Sequence, residues 1–180
     1  MATSRLLKRI VLGVAGLAAA MALSAAALIA WLTITDPFGG PAHPTDAAML
    51  AQFAAQRPAL AAIVDMLEHD PPVERLAPDF TRPDPPPIPA ARLADYRARL
   101  QAAGIAHGLS HYGDAVEFLV STQGLAISGS GKSFVHAEHA HPDAIVIDGD
   151  LDAAVDTLAD KDVLLQRRIG EHWWLQLDRR

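Results

Sequence analysis

The sequence predicts an α+β domain held behind a single membrane-spanning helix, and three observations lead there. No residue from Ile10 to Thr35 is charged. Between Thr45 and Gly104 apolar residues recur at helical spacing, and beyond Tyr112 the spacing changes to alternation, the period of a half-buried strand. Helices followed by a run of short strands indicate an α+β domain with an antiparallel sheet. The expected inventory is an N-terminal transmembrane helix, two or three further helices, and an antiparallel sheet of about five strands.

The anchor comes first. "IVLGVAGLAAAMALSAAALIAWLTIT", residues 10–35, exceeds the roughly 20 apolar residues a helix needs to cross a bilayer's hydrocarbon core. Trp31 lies near its far end, where an aromatic ring suits the interface. Arg5, Lys8 and Arg9 make residues 1–9 a basic tail, and the next basic residue is Arg57. Basic flanks stay on the cytoplasmic side, so the N-terminus is expected inside and the remainder outside. A cleavable signal peptide is the competing reading, with Ala25-Ala26-Ala27 as a site. A signal's apolar region is usually only about 7–15 residues, and cutting there would leave "LIAWLTIT" on the mature N-terminus. Residues 10–35 are therefore expected to be retained as an anchor contacting the lipid bilayer.

Composition narrows the rest. There is no cysteine, so an exported domain must rely on its core rather than on disulfides, and no lipid-modified cysteine is available. None of the 21 acidic residues precedes Asp36, whereas three of the 15 basic ones do, which leaves the exported part strongly acidic. That argues against nucleic acid and against adsorption to anionic headgroups.

Along the chain, "DPFGGPAH" opens a helix-breaking linker over residues 36–44, and the domain is expected over residues 45–180. Thr45 can cap a helix with Asp46 in its first turn. Met49, Leu50 and Phe53 give it an apolar side, and Pro58 predicts a kink or a fresh start. Leu60, Ile63, Val64 and Leu67 continue the stripe. Residues 71–89 hold eight of the 13 prolines and read as an extended connector, pinned by Val73, Leu76, Phe80 and Ile88. "PAARLADYRARLQAAG" gives a helix with Leu93, Tyr96, Leu100 and Ala103 on one face and Gly104 as its left-handed cap. Val116, Phe118 and Val120 mark a strand facing inward, with Glu117 and Ser121 on its other side. Leu125–Ser128, Phe134–Ala137 and "AIVID" are further strands, and Asp152–Leu158 a short helix. The chain closes in a hairpin turning at Gly170-Glu171. In its second strand Trp173, Leu175 and Leu177 face inward, against His172, Trp174, Gln176 and Asp178.

"AISGSGKS", Ala126–Ser133, matches a relaxed phosphate-loop pattern. That loop works only when a strand delivers it onto a helix N-terminus, where amides and dipole cradle the phosphates. "SFVHAEHAHP" alternates and soon reaches proline, so no helix follows. The motif reads as a decoy: "GSGK" as a hairpin loop with Lys132 at its solvated tip, and no nucleotide. "HAEHAHPD" gathers His136, Glu138, His139 and His141, candidate metal ligands, although strand alternation puts His139 opposite to His136 and Glu138. Ser110, His111 and Asp114 lack a nucleophile-elbow pattern and read as a turn, so no catalytic residue is assigned. Trp174, on the polar face, is the candidate for partner contact.

The stretches "FAAQRPALAAIVDMLEHD", "YGDAVEFLVSTQGLAISGSGKSFVH" and "RRIGEHWWLQLD" together resemble a group of small bacterial envelope proteins with no assigned activity. These share an N-terminal anchor, a helix, a β-rich core and a closing tryptophan strand. The resemblance implies a single-pass inner-membrane protein with a periplasmic interaction domain, an envelope protein as partner, no cofactor and no catalytic residue. The alternative is a periplasmic module binding a metal or small ligand through residues 136–143, and the histidine cluster departs from the group's pattern.

Overall fold

The computed structural model describes residue 16 and residues 20–31, 42–125, 128–160 and 162–180. The chain divides into two compact units, residues 1–40 and 41–180. In the first, α1 (Ala20–Trp31) is an apolar helix inside the charge-free run. Its Met21, Leu23, Leu28, Ile29 and Trp31 are all exposed. The basic tail, much of the expected span and most of the linker lie outside the described residues.

The second unit is α+β, as expected, but with more strands. It begins with α2 (Asp46–His69), whose N-cap Thr45 hydroxyl accepts from the Ala48 amide at 3.3 Å. Pro58 neither ends nor restarts this helix. Its ring lies on the exposed side, while the turns before and after it bury Met49, Phe53, Leu60, Ile63, Val64 and Leu67 along one stripe. Packing on both sides of the proline outweighs the hydrogen bond it removes. By length and composition α2 could also cross a membrane. Its stripe, however, meets the sheet: the Phe53 ring lies 5.5 Å from Phe134 and 5.2 Å from Trp173.

The proline-rich stretch is a correction. It folds into two short strands, β1 (Arg75–Leu76) and β2 (Thr81–Arg82), paired with each other. The prolines stand outside both, so the amides needed for pairing are free. Val73, Leu76 and Ile88 are buried, but Phe80 is 47% exposed. Next, α3 (Ala90–Ala102) ends as Gly104 suggests. Gly104 takes φ +74°, its amide donates to Gln101 O at 3.0 Å, and the Ile105 amide donates to Leu100 O at 2.9 Å. That pair of bonds is the Schellman closure, and buried Leu100 and Ile105 supply its apolar contact.

The remaining elements are β3 (Leu109–Tyr112), β4 (Ala115–Leu125), β5 (Ser128–His136), β6 (Ile145–Val146), α4 (Leu151–Thr157), β7 (Val163–Gly170) and β8 (Trp173–Arg179). With β1 and β2, their six strands form one eight-stranded sheet among the described residues, in the order β2-β1-β3-β4-β5-β8-β7-β6, rather than about five strands. The sheet is mixed, because β6 pairs with β7 in parallel. A parallel neighbour needs a crossover, and α4 provides it. Register places Leu76, Leu109, Phe118, Phe134 and Leu175 in one row across five strands, all at 0% exposure. This row is the centre of the core under α2.

Two hairpins are displaced from their expected positions. β4 and β5 stay paired out to Leu125 and Ser128, so Gly129–Ser133 are strand rather than loop. The β7–β8 turn is Glu171-His172, one residue later than expected, with His172 at φ +59°. Trp173, Leu175 and Leu177 face inward as expected, but Trp174 and Gln176 are buried too. The loop after β5 folds back over their face: Ala137 and Ala140 pack on Trp174, and the Trp174 indole donates to Ala137 O at 3.1 Å.

Candidate functional site

Lys132 is the largest departure from expectation. It is not at a solvated tip but fully buried in mid-strand, paired with Ser121 and Leu177. Strand parity explains this, since Lys132 lies two residues before Phe134 and shares its inward face. Its ammonium donates to Pro44 O at 3.0 Å and Asp46 Oδ1 at 2.8 Å, and forms an ion pair with Asp152 Oδ1 at 2.6 Å. Asp46 is equally buried, and its Oδ2 accepts the Leu151 amide at 2.7 Å. One carboxylate therefore joins the starts of α2 and α4 to the middle of β5.

Asp46, Asp150 and Asp152 place oxygens within 4.8 Å of one another, a separation a cation could bridge. Lys132 already supplies the positive charge there. Asp150 is the N-cap of α4, accepting the Ala153 amide at 2.9 Å. The cluster is an internal ion network, and because the chain continues beyond Lys132 as strand to His136, no helix N-terminus follows the lysine.

His43 adjoins this network. Its Nδ1 lies 2.7 Å from Ser121 Oγ and its Nε2 2.7 Å from Ser130 Oγ, so one ring bridges β4 and β5. Burial, and secondarily the Lys132 charge, holds the imidazole below its usual 6.5, while Asp152 pulls the other way.

The face of the sheet away from α2 carries a different arrangement. Glu117 Oε1 accepts from Ser133 Oγ at 2.8 Å and Gln176 Nε2 at 3.0 Å, and its Oε2 accepts from Tyr112 OH at 2.9 Å. Gln176 Oε1 accepts from Gln166 Nε2 at 2.7 Å, and Gln166 Oε1 accepts the His141 amide at 2.8 Å. This polar row crosses β3, β4, β5, β8 and β7. Two open clefts of about 600 and 520 Å³ flank it, and both are lined by Glu117, Asp178 and Arg180. Partial burial of its hydroxyl end, then the Glu117 charge, pushes Tyr112 above the ordinary phenol range, although its side chain is 47% exposed. Protonated at neutral pH, Tyr112 acts as a hydrogen-bond donor. The members of the row that reach the clefts, Tyr112 and Glu117, offer polar recognition.

The residues singled out from sequence are dispersed. His136 packs on the Trp173 ring at 4.9 Å and lies 6.2 Å from the His172 ring. Glu138, His139 and His141 are exposed on the following loop. Among the described residues, the three aspartates are the one group of possible ligands that converges, and it contains none of these four. Trp174, expected on an exposed polar face, is 7% exposed and so is not displayed to a partner. Ser110 Oγ accepts from Arg75 Nη1 at 2.7 Å, while His111, its neighbour on β3, points to the opposite face. Asp46, Lys132, His43 and Glu117 escaped the sequence reading. Parity counted back from Phe134 could have placed Lys132 inward, and helical spacing could have put Asp46 on the stripe with Met49 and Phe53.

Comparison with protein-family models, with curated proteins and with solved structures gives no match.

Proposed function

We propose that this chain is a single-pass protein of a bacterial inner membrane, whose periplasmic α+β domain binds another envelope protein across the polar face of its sheet. Residues 10–35 would contact the bilayer, with the basic tail in the cytoplasm. The anchor is supported by the charge-free run and by α1, which leaves its large apolar side chains uncovered. Lipid is the solvent such a surface suits.

The observation that carries the binding surface is Glu117. It is the shared wall of two clefts, with the Tyr112 hydroxyl beside it in one of them, while buried Ser133 and Gln176 hold its carboxylate in place from beneath. Glu117 and Tyr112 stand opposite the helix-covered face, at the clefts, where a partner can reach them. Arg180 and Asp178 beside it add charge of both signs, favouring a polar partner over an apolar one.

Photo-crosslinking in native membranes tests this. A photoreactive residue at Thr122 or His141, in the clefts, should capture a discrete partner, and one at Ala59 on the exposed side of α2 should not. Equal capture at all three positions would overturn the surface. A phosphatase fused after Arg180 should be active in the periplasm, and an inactive fusion would overturn the orientation.

A further inference from the structure

We propose that His43 is the clasp of a proton-operated latch: protonation of its ring frees residues 42–43 from the β4–β5 hairpin while Pro44, α2 and the sheet stay in place. The segment 42–45 directly precedes α2. It is fastened to the hairpin at two points, the His43 ring between the Ser121 and Ser130 hydroxyls and Pro44 O on the Lys132 ammonium. Of the two, only the first can change with pH near neutrality.

A neutral imidazole has one donor and one acceptor, and a hydroxyl can serve either, so the two 2.7 Å contacts suit the neutral ring well. An imidazolium has two donors and a charge that must be solvated. The ring is half-buried, and the charged groups facing it are few. Lys132 of β5 is repulsive, and it is held in place by Pro44 O and by its ion pairs with Asp46 and Asp152. Asp152 of α4 attracts, but it is engaged with Lys132 and 44% exposed. Asp46 of α2 is committed to Lys132 and to the Leu151 amide, and Asp150 to the Ala153 amide. Asp152 is thus the one carboxylate that favours the charged ring, and burial together with Lys132 outweighs it. The seated state favours the neutral ring, and acid favours release.

Release would be local, because its neighbours are held independently. Asp46 keeps α2 on Lys132 and α4, and the core row under α2 contains no titratable group. The freed length matters on the anchored reading above: each extended residue adds up to about 3.3–3.6 Å of reach between membrane and domain.

The absence of cysteine allows a clean test. The full chain in nanodiscs carries a nitroxide at Ala42→Cys, and a second preparation carries it at Ala59→Cys on α2. Between pH 7.5 and pH 5 the spectrum at position 42 should pass from restricted to mobile, while that at 59 stays unchanged. His43→Gln keeps a donor and an acceptor but cannot titrate, so its spectrum at 42 should not respond to pH. A label at 42 that stays restricted to pH 5 would overturn the latch. So would a transition that persists in His43→Gln, or one that appears at 59 as well, since that is general unfolding.

Discussion

Lys132 shows how much one side chain's position decides. At a loop tip its truncation would be nearly silent. Buried with Asp46, the same change strands a carboxylate that has lost its cation, and removing one partner of a buried pair typically costs about 3–5 kcal/mol. Lys132→Ala should therefore lower the denaturation midpoint sharply, and adding Asp46→Asn should restore part of the loss. A silent Lys132→Ala would return the residue to the surface. The sequence contained half of this answer. Parity from Phe134 is visible in "GKSF", but the acceptors come from residues 44, 46 and 152, which nothing local in sequence brings together. The phosphate-loop resemblance drew attention to the right lysine for the wrong reason.

Elements were legible where their signal is local and illegible where another element decides. The Thr45 cap, the Gly104 closure and the inward side of β8 follow from spacing alone. Alternation along β4 holds only to the irregularity between Leu119 and Ser121, beyond which Ser121, expected outward with Glu117, pairs with inward Lys132. The count of strands does not follow from spacing, because β1, β2 and β6 are two-residue pairings that exist only where a neighbour offers an edge. Gly108 is a further case. It takes φ +80°, and an added Cβ would strike the Leu76 carbonyl and approach Ala77 Cα to 2.9 Å. Gly108→Ala should unseat β1 from β3, detected as faster amide exchange at Arg75 and Leu76. Strand β8 makes the same point about faces. Alternation told its two sides apart but could not reveal that the loop after β5 covers the second one. Trp173→Ala, in the main core, should cost about 3–5 kcal/mol by chemical denaturation. Trp174→Ala, in a small satellite cluster, should also be destabilising but by less, in the range of about 1–3 kcal/mol. A Trp174 variant as stable as the wild type would mean that its face is open after all.

At the scale of the whole molecule, two histidines and one aspartate weaken the fold in acid, while exposed His69, raised by its bond to the Asp65 carbonyl, leans the other way. His43 and His136 are both held below 6.5, each by burial first, then by Lys132 and His172 respectively. Above 6.5 both rings are neutral, folded or unfolded. Below it the unfolded chain takes up protons that the folded chain refuses, so stability falls as pH drops from 6.5 through the lower folded values. Asp70 responds later: its hydrogen bond from Arg92 holds it below 3.8, so its contribution is lost only as pH falls beneath that value. Thermal melting against pH should show the first decline, and His43→Gln with His136→Gln should flatten it. An unchanged slope in the double variant would assign the decline elsewhere. The strand order carries a consequence of another kind. β5 is flanked on one side by β4, its immediate predecessor, and on the other by β8, which is made only after β6, α4 and β7. A ribosome that has released everything through Gly170 has produced one half-sheet with an open edge at β5 and another, β6 with β7, with nothing to join. Closure waits for Trp173–Arg179, so the domain stays threadable until almost all of it has been translated.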